Sequence, residues 1–454
     1  MLRISFEKIY LAHVCRLWYN VPMATKRKRN RKKKNIRLLI TFISTLTIVL
    51  LVGLLALFLN HHFARTNELR EHSDNMANFL AELNSPNEPV SASELTESVN
   101  EEADEPADLP IPARYVNVLN DPEYMRENRI YAKDAIVPGE ARLLFAGDIL
   151  FDSYYAVMAN AIKRGDTVDA AFCPDTLKIM RDADVMMLNN EFTYTTRGTP
   201  FPEKLYTFRA KPEKADWLND MGVNLVSLAN NHTFDYGEIS LLDTLDTLSA
   251  YGVPYVGAGR NIDEAKAPVY FIISDIKIAF VAATQIERMS NPDTRGATET
   301  LPGVFRFLNN ERLLDTVAEA KENSDFVVVF LHWGSERAEE PDWSQLEQSM
   351  KIAAAGADLI VGAHPHVLQE ISAHGNTPVA YSLGDFWFSS RTVDTGLLEA
   401  IFDVNGLKSL RFIPAIQHNC VTSLLHDGEK ERVLNIMRDL SPRVNIDDDG
   451  VITW

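Results

Sequence analysis

Six short apolar runs in this chain end in side chains able to bind metals or move protons. Arg142–Ala146 is followed by Gly147-Asp148, Val185–Leu188 by Asn189-Asn190-Glu191, and Asn224–Leu228 by Ala229-Asn230-Asn231-His232. Phe326–Leu331 leads into His332-Trp333-Gly334, Leu359–Val361 into Gly362-Ala363-His364-Pro365-His366, and Val379–Ser382 into Leu383-Gly384-Asp385. Singly, each has an ordinary use: Gly-Asp as a turn or helix cap, Asn-Asn as a turn, a lone His as a satisfied core residue. Together they supply carboxylate, amide and imidazole at the C-terminal ends of strands, where open α/β sheets and barrels bind ligands. Such a mixed oxygen and nitrogen set suits Zn, Mn or Fe. Its chemistry is hydroxide from water near neutral pH and polarisation of a phosphoryl or carbonyl oxygen.

The runs that must position these groups, with Ile278–Ala282, are short and rich in Val, Ile, Leu and Phe, as buried strands are. Helical patterns at Pro174–Asp182, Lys214–Met221, Ser240–Tyr251, Asn310–Glu322 and Ser344–Ala355 alternate with them, which predicts α/β layers. Leu398–Val404 and Leu410–Ile413 flank Asn405-Gly406, a hairpin signal that adds antiparallel strands. No internal repeat is visible.

The first part of the chain is of another kind. Leu38–Leu59 is an uncharged stretch of 22 residues, long enough as a helix to span a bilayer's hydrocarbon. Nine Lys and Arg lie between Lys26 and Arg37, and basic flanks stay in the cytoplasm, so the segment predicts a retained single-pass anchor with the remainder outside the cell. Nucleic-acid binding and a cleaved signal peptide are the rival readings; the span is long for the latter, and no small-residue cleavage site follows it. Met23-Ala24-Thr25 would itself make a normal start for such an anchor, so the first 22 residues are expected to come from an over-extended start site. Phe63–Leu83 has helical periodicity. Pro86–Asp108 holds eight acids and no Lys or Arg, a self-repelling linker. The expected organisation is a basic cytoplasmic segment over 1–37, a transmembrane helix over 38–59, an extracellular extension and linker over 60–137, and one domain over 138–454.

The whole chain carries a formal charge of −18, but the segment through Arg37 has 12 basic residues and one acid, leaving 33 basic and 62 acidic residues beyond it, formally −29. A domain that acidic is not a nucleic-acid binder. Of three cysteines, Cys173 and Cys420 fall in the outer part, too few for a disulfide framework, and their pairing is left open.

Seven ordered blocks, Gly147-Asp148, Asn190-Glu191, Asn230-Asn231-His232-Thr233-Phe234-Asp235-Tyr236-Gly237, Gly257-Ala258-Gly259-Arg260-Asn261, His332-Trp333-Gly334-Ser335-Glu336, Gly362-Ala363-His364-Pro365-His366 and Tyr381-Ser382-Leu383-Gly384-Asp385-Phe386, closely resemble the CapA, or poly-γ-glutamate capsule synthesis, family. The resemblance runs from about Arg142 to Leu397. That family looks like a relative of the calcineurin-type metallophosphoesterases, which implies a four-layer α/β/β/α sandwich. It further implies Asp148, Glu191, Asn231, His332, His364 and His366 as metal ligands and His232 as general acid, with Asp235 orienting His232. Arg209, Lys211, Arg260, Glu336 and Asp385 are the candidate substrate contacts. Leu150 stands where a phosphoesterase has His, so the expected cofactor is one divalent ion (Mn, Zn or Fe) rather than two; the family also often has His at Ala363 and Asn at Asp385, and the added Asp385 acid is either a compensating ligand or a cap of the next turn. The implied function is capsule biosynthesis or export, with an anionic polymer such as poly-γ-glutamate and membrane subunits of a synthesis complex as partners. The alternative is an active metal-dependent hydrolase or phosphoesterase on another cell-envelope substrate.

Overall fold

The computed structural model describes residues 114–202, 204–286 and 294–454. The basic run, the apolar stretch and the acidic linker lie outside them, and among the described residues no helix is long and apolar enough to cross a membrane.

The apolar runs build two sheets. In the first, the strands lie in the order Ile130–Lys133, Val269–Ile273, Ile276–Thr284, Phe326–His332, Leu359–Ala363, Thr377–Ala380 and Ile371–His374. Ile276–Thr284 through Thr377–Ala380 run parallel. In the second the order is Val421–Leu424, Gly406–His418, Val393–Asp403, Ala141–Ile149, Val185–Asn190, Leu225–Ser227 and Tyr255–Val256. Its last four strands are parallel, and the hairpin around Asn405-Gly406 forms the antiparallel side.

Period and burial fix the layering. Alternate residues of a strand face opposite ways. Thus Phe145, Met187, Phe280, Phe330 and Val361 share one apolar core between the two sheets. The opposite faces are also apolar: Leu144, Met186 and Val226 pack under the helices Ala156–Lys163, Pro174–Arg181, Asp216–Met221 and Glu238–Ala250. Ala279, Val329 and Ile360 pack under Glu311–Glu322 and Trp343–Ala354. The result is a helix, sheet, sheet, helix sandwich, with strands buried on both faces.

Each run read as a strand overlaps one, and each helical pattern from Pro174 onward overlaps a helix, while Phe63–Leu83 lies outside the described residues. The informative departure is at Val379–Ser382. The strand stops at Ala380, because the Ser382 hydroxyl donates to Val367 O (2.7 Å) and accepts from Gly384 N (3.2 Å), peeling the chain out of the first sheet. Gly384 turns it with φ 72°, and Asp385–Trp387 then joins the second sheet beside Ala141–Ile149. Gly147 makes this crossing possible, since a Cβ there would sit 1.9 Å from Gly384 O. Trp387 anchors the crossing among Phe151, Phe172 and Trp217. Cys173 and Cys420 are free thiols, the first against Ser423 Oγ at 2.8 Å.

Candidate metal centre

Register brings the polar strand ends together. In the second sheet Asp148 pairs laterally with Asn189 on one side and Asp385 on the other. In the first, His332 pairs with Ala363, one residue before His364. The C-terminal edges of the two sheets meet here: His364 N donates to Asp148 Oδ2 (3.3 Å), and His332 Nε2 donates to Asn231 Oδ1 (2.8 Å).

Three overlapping groups have ligand atoms within 4.8 Å of one another: Glu191, His364 and His366; Asp148, His366 and Asp385; and Asp148, Glu191 and His332. With Asn231 bonded to His332, all six implied ligands therefore converge. Asp385, a substrate-contact candidate, lies in the same cluster: its Oδ1 is 2.7 Å from His366 Nδ1, and it shares that imidazole with Asp148. Leu150, where the resemblance wants His, is buried and lines the adjoining cavity, while Asp385 places a carboxylate beside Asp148.

Two buried atoms in the centre have no hydrogen-bond partner, Glu191 Oε1 and His364 Nδ1. An unpartnered buried carboxylate oxygen or imidazole nitrogen costs roughly 1–3 kcal/mol, more when charged. Ligation of a cation is what the chemistry of this donor set offers them. The backbone is also held off its preferred regions, with φ 100° at His364 and φ 59° at His366, strain of the kind that persists at binding sites. Both residues fit the same reading.

Electrostatics separates the groups. Burial, with His366 beside it, lowers His364 to about 3. Burial and the neighbouring imidazoles hold His332 well below its ordinary value. For His366 burial works the other way from its neighbours, and the Asp385 and Glu191 carboxylates win, raising it well above the usual range. Glu191 is raised well above a normal carboxyl by burial and by Asp148.

Beside this cluster His232 Nδ1 lies 2.7 Å from Asp235 Oδ2, and its Nε2 points back at Glu191 Oε1, 3.8 Å away. Asp235 does more than orient. Its Oδ2 also accepts from Phe208 N (2.6 Å), and its Oδ1 accepts from Lys204 Nζ (2.6 Å). The Phe208 ring lies over the imidazole at 4.1 Å. Burial lowers the His232 pKa although Asp235 opposes it, which favours the neutral ring, and the short contact to the Asp235 carboxylate favours the tautomer with its proton on Nδ1.

A cavity of about 530 Å³ opens over the centre. Of the substrate-contact candidates, Glu336 and Asp385 line it and Arg209, Lys211 and Arg260 do not. Arg209 stacks on Tyr236, Lys211 faces Glu213, and Arg260 is tied to Asp246 and Glu264. The cations that do line it are Lys204, Arg337 and Arg391, with His232 and His366 deeper. Sequence reasoning passed over Lys204 and Asn189. Asn189 donates to Asp148 Oδ1 (2.7 Å) and lies 3.2 Å from His332 Nδ1, linking the two sheets, and its place at a strand end was the available signal.

A family model described as bacterial capsule synthesis protein PGA_cap matches residues 142–390. The PGA biosynthesis protein CapA of Bacillus subtilis (strain 168) is 29% identical over 320 residues, 68% of this chain and 81% of that protein. The capsule biosynthesis protein CapA of Bacillus anthracis is 34% identical over 234 residues, 49% of this chain, and the match spans about half (55%) of that relative's length. Among solved structures, a 5'-nucleotidase from Candida albicans SC5314 aligns with 62% of this chain and 53% of its own at 10% identity and a TM-score of 0.34.

Proposed function

The chain belongs to the bacterial capsule synthesis protein family PGA_cap, and from that premise we propose that it is a membrane-anchored component of poly-γ-glutamate capsule biosynthesis. In this reading its main domain faces outward and acts on the polymer through a divalent-metal centre of the metallophosphoesterase type. The observation that carries the reading is the convergence of the ligand side chains around two unpartnered buried atoms, Glu191 Oε1 and His364 Nδ1. The basic run before Leu38–Leu59 supports the topology, with the N-terminus cytoplasmic. The polymer assignment rests on what the Bacillus subtilis relative is named for.

Asp148, Glu191, His364 and His366 would hold the ion, with Asn231, His332 and Asp385 completing the shell. A Mn, Zn or Fe ion there supplies Lewis acidity toward a carbonyl or phosphoryl oxygen and lowers the pKa of water. The protein's own part is proton traffic and placement. With Nδ1–H directed to Asp235, His232 Nε2 is left as an acceptor 3.8 Å from Glu191 Oε1, in a residue that lines the cavity. It takes the proton of the attacking water as the water oxygen bonds to the carbonyl or phosphoryl centre and returns it to the leaving atom as the bond to that atom breaks, and Asp235 stabilises the intervening imidazolium. The general-acid role implied by the family is thus the second half of the cycle.

In a capsule-forming strain lacking its own copy, the intact chain should restore polymer, and a His364→Ala/His366→Ala double variant should not. Full capsule from a variant shown to be metal-free would sink the catalytic reading. Metal-dependent cleavage of a generic phosphodiester, with no action on γ-glutamyl chains, would instead favour another envelope substrate.

Proton linkage gives a second test. His366 and Glu191 both hold protons above their ordinary ranges, whereas His364 is already deprotonated at neutral pH. Ligation requires the deprotonated forms, so metal uptake should release protons and apparent affinity should rise with pH. Calorimetric titration in buffers of different ionisation enthalpy reads the proton count; affinity flat from pH 5.5 to 8, roughly spanning the histidine range, would contradict the assignment.

A further inference from the structure

Two arginines in the cavity are left over by everything above. Many guanidiniums of the described residues are tied to carboxylates, as Arg197 is to Asp243, Arg260 to Asp246, Arg432 to Asp394 and Arg443 to Glu370. Arg337 and Arg391 are exposed, line the cavity, and have no carboxylate partner among the described residues.

Both stand on loops held in place from behind. Arg337 has φ 63°, and its N–H donates to Pro365 O (2.7 Å), between the two histidines His364 and His366. The Arg391 loop is clamped by fully buried Gln417, whose amide donates to Ser389 O and Arg391 O (both 2.8 Å) and accepts from Phe388 N (2.7 Å). Fixed backbones that present free guanidinium forks are suited to carboxylate or phosphate, which they grip in two parallel hydrogen bonds. Glu336, beside Arg337 in the same lining, offers an acceptor. An amide chain bearing carboxylates has both an N–H for Glu336 and anions for the arginines, whereas a polyphosphate has no donor and would be repelled by it.

We infer that Arg337 and Arg391 form an anion subsite that grips side-chain carboxylates of a polyamide ligand on either side of the bond presented to the metal centre. The inference rests on the polymer reading proposed above. It also accounts for how a domain of strongly negative charge accepts an anionic chain: long-range repulsion is screened beyond about 8–10 Å at physiological salt, and local cations act inside that distance.

The test is calorimetric titration of the full-length protein with a short γ-glutamyl oligomer, its side-chain-amidated counterpart and a glycerol-phosphate oligomer. The variants are Arg337→Gln, Arg391→Gln, the double, and Arg337→Lys. Each Gln variant should weaken the γ-glutamyl oligomer roughly 10-fold and the double more, with a shallower salt dependence, while metal content and melting temperature stay at wild-type values. The amidated oligomer should bind wild type and double variant alike, and the Arg337→Lys variant should recover only part of the affinity lost in Arg337→Gln. A wild-type protein that ignores γ-glutamyl oligomers would overturn the polymer reading itself. One that binds them equally in the double variant would overturn only the subsite. Arginine-dependent binding of the glycerol-phosphate oligomer in preference would overturn the carboxylate assignment.

Discussion

Replacing His364 with alanine is expected to lower the protein's affinity for divalent metal by ~100-fold or more, since loss of even an outer partner of a ligand costs ~10–100-fold. The effect should be large because His364 Nδ1 has no other bond in the fold and its ring is lowered to about 3, ready to ligate without giving up a proton. Glu191→Gln should do the same by replacing a group that ligation can turn into an anion with a permanently neutral amide. In chelator the His364→Ala protein should melt no lower than the metal-free wild type, because the substitution removes a buried, unsatisfied nitrogen whose desolvation costs about 1–3 kcal/mol. Element analysis and thermal melts with and without chelator check both halves. Unchanged metal content would show that His364 is a packing residue.

His232→Ala is expected to separate chemistry from metal binding. Turnover on the polymer should fall by ~10²–10⁴, the range for a lost general acid–base group, with metal content unchanged. Asp235→Asn should lower turnover less and shift its pH profile, because it leaves the ring in place and removes the charge that supports the imidazolium. Asp235 also holds Lys204 and the Phe208 amide, so Lys204→Met serves as the control for loosening that segment alone. Turnover that survives in His232→Ala would move the proton-transfer role to another group.

Much of this site was legible along the chain. The end of a buried strand is where apolar alternation gives way to polar residues, so Asp148, Glu191, His332 and His364 could be placed at sheet edges one run at a time. The His232-to-Asp235 spacing likewise put an imidazole and a carboxylate within reach by local geometry, and the fold closes that bond at 2.7 Å. The cations were a different matter. Arg260 lies within a motif block and Arg209 and Lys211 between two, but each finds a nearer partner, and loop positions that depend on distant packing bring Lys204, Arg337 and Arg391 into the cavity instead.

Sequence alone therefore determined which side chains end the strands and the alternation that makes two apolar-faced sheets, because burial acts on each strand locally through its own residues. Only the tertiary structure decided which of those ends share a centre. Asp385 shows why: the Ser382 hydroxyl and the left-handed turn at Gly384 carry the chain from one sheet to the other, and the bare Cα of Gly147 lets it land against Asp148. That choice is made by contacts between residues far apart in the chain, and it places a carboxylate on the side of the centre that Leu150 leaves without a histidine.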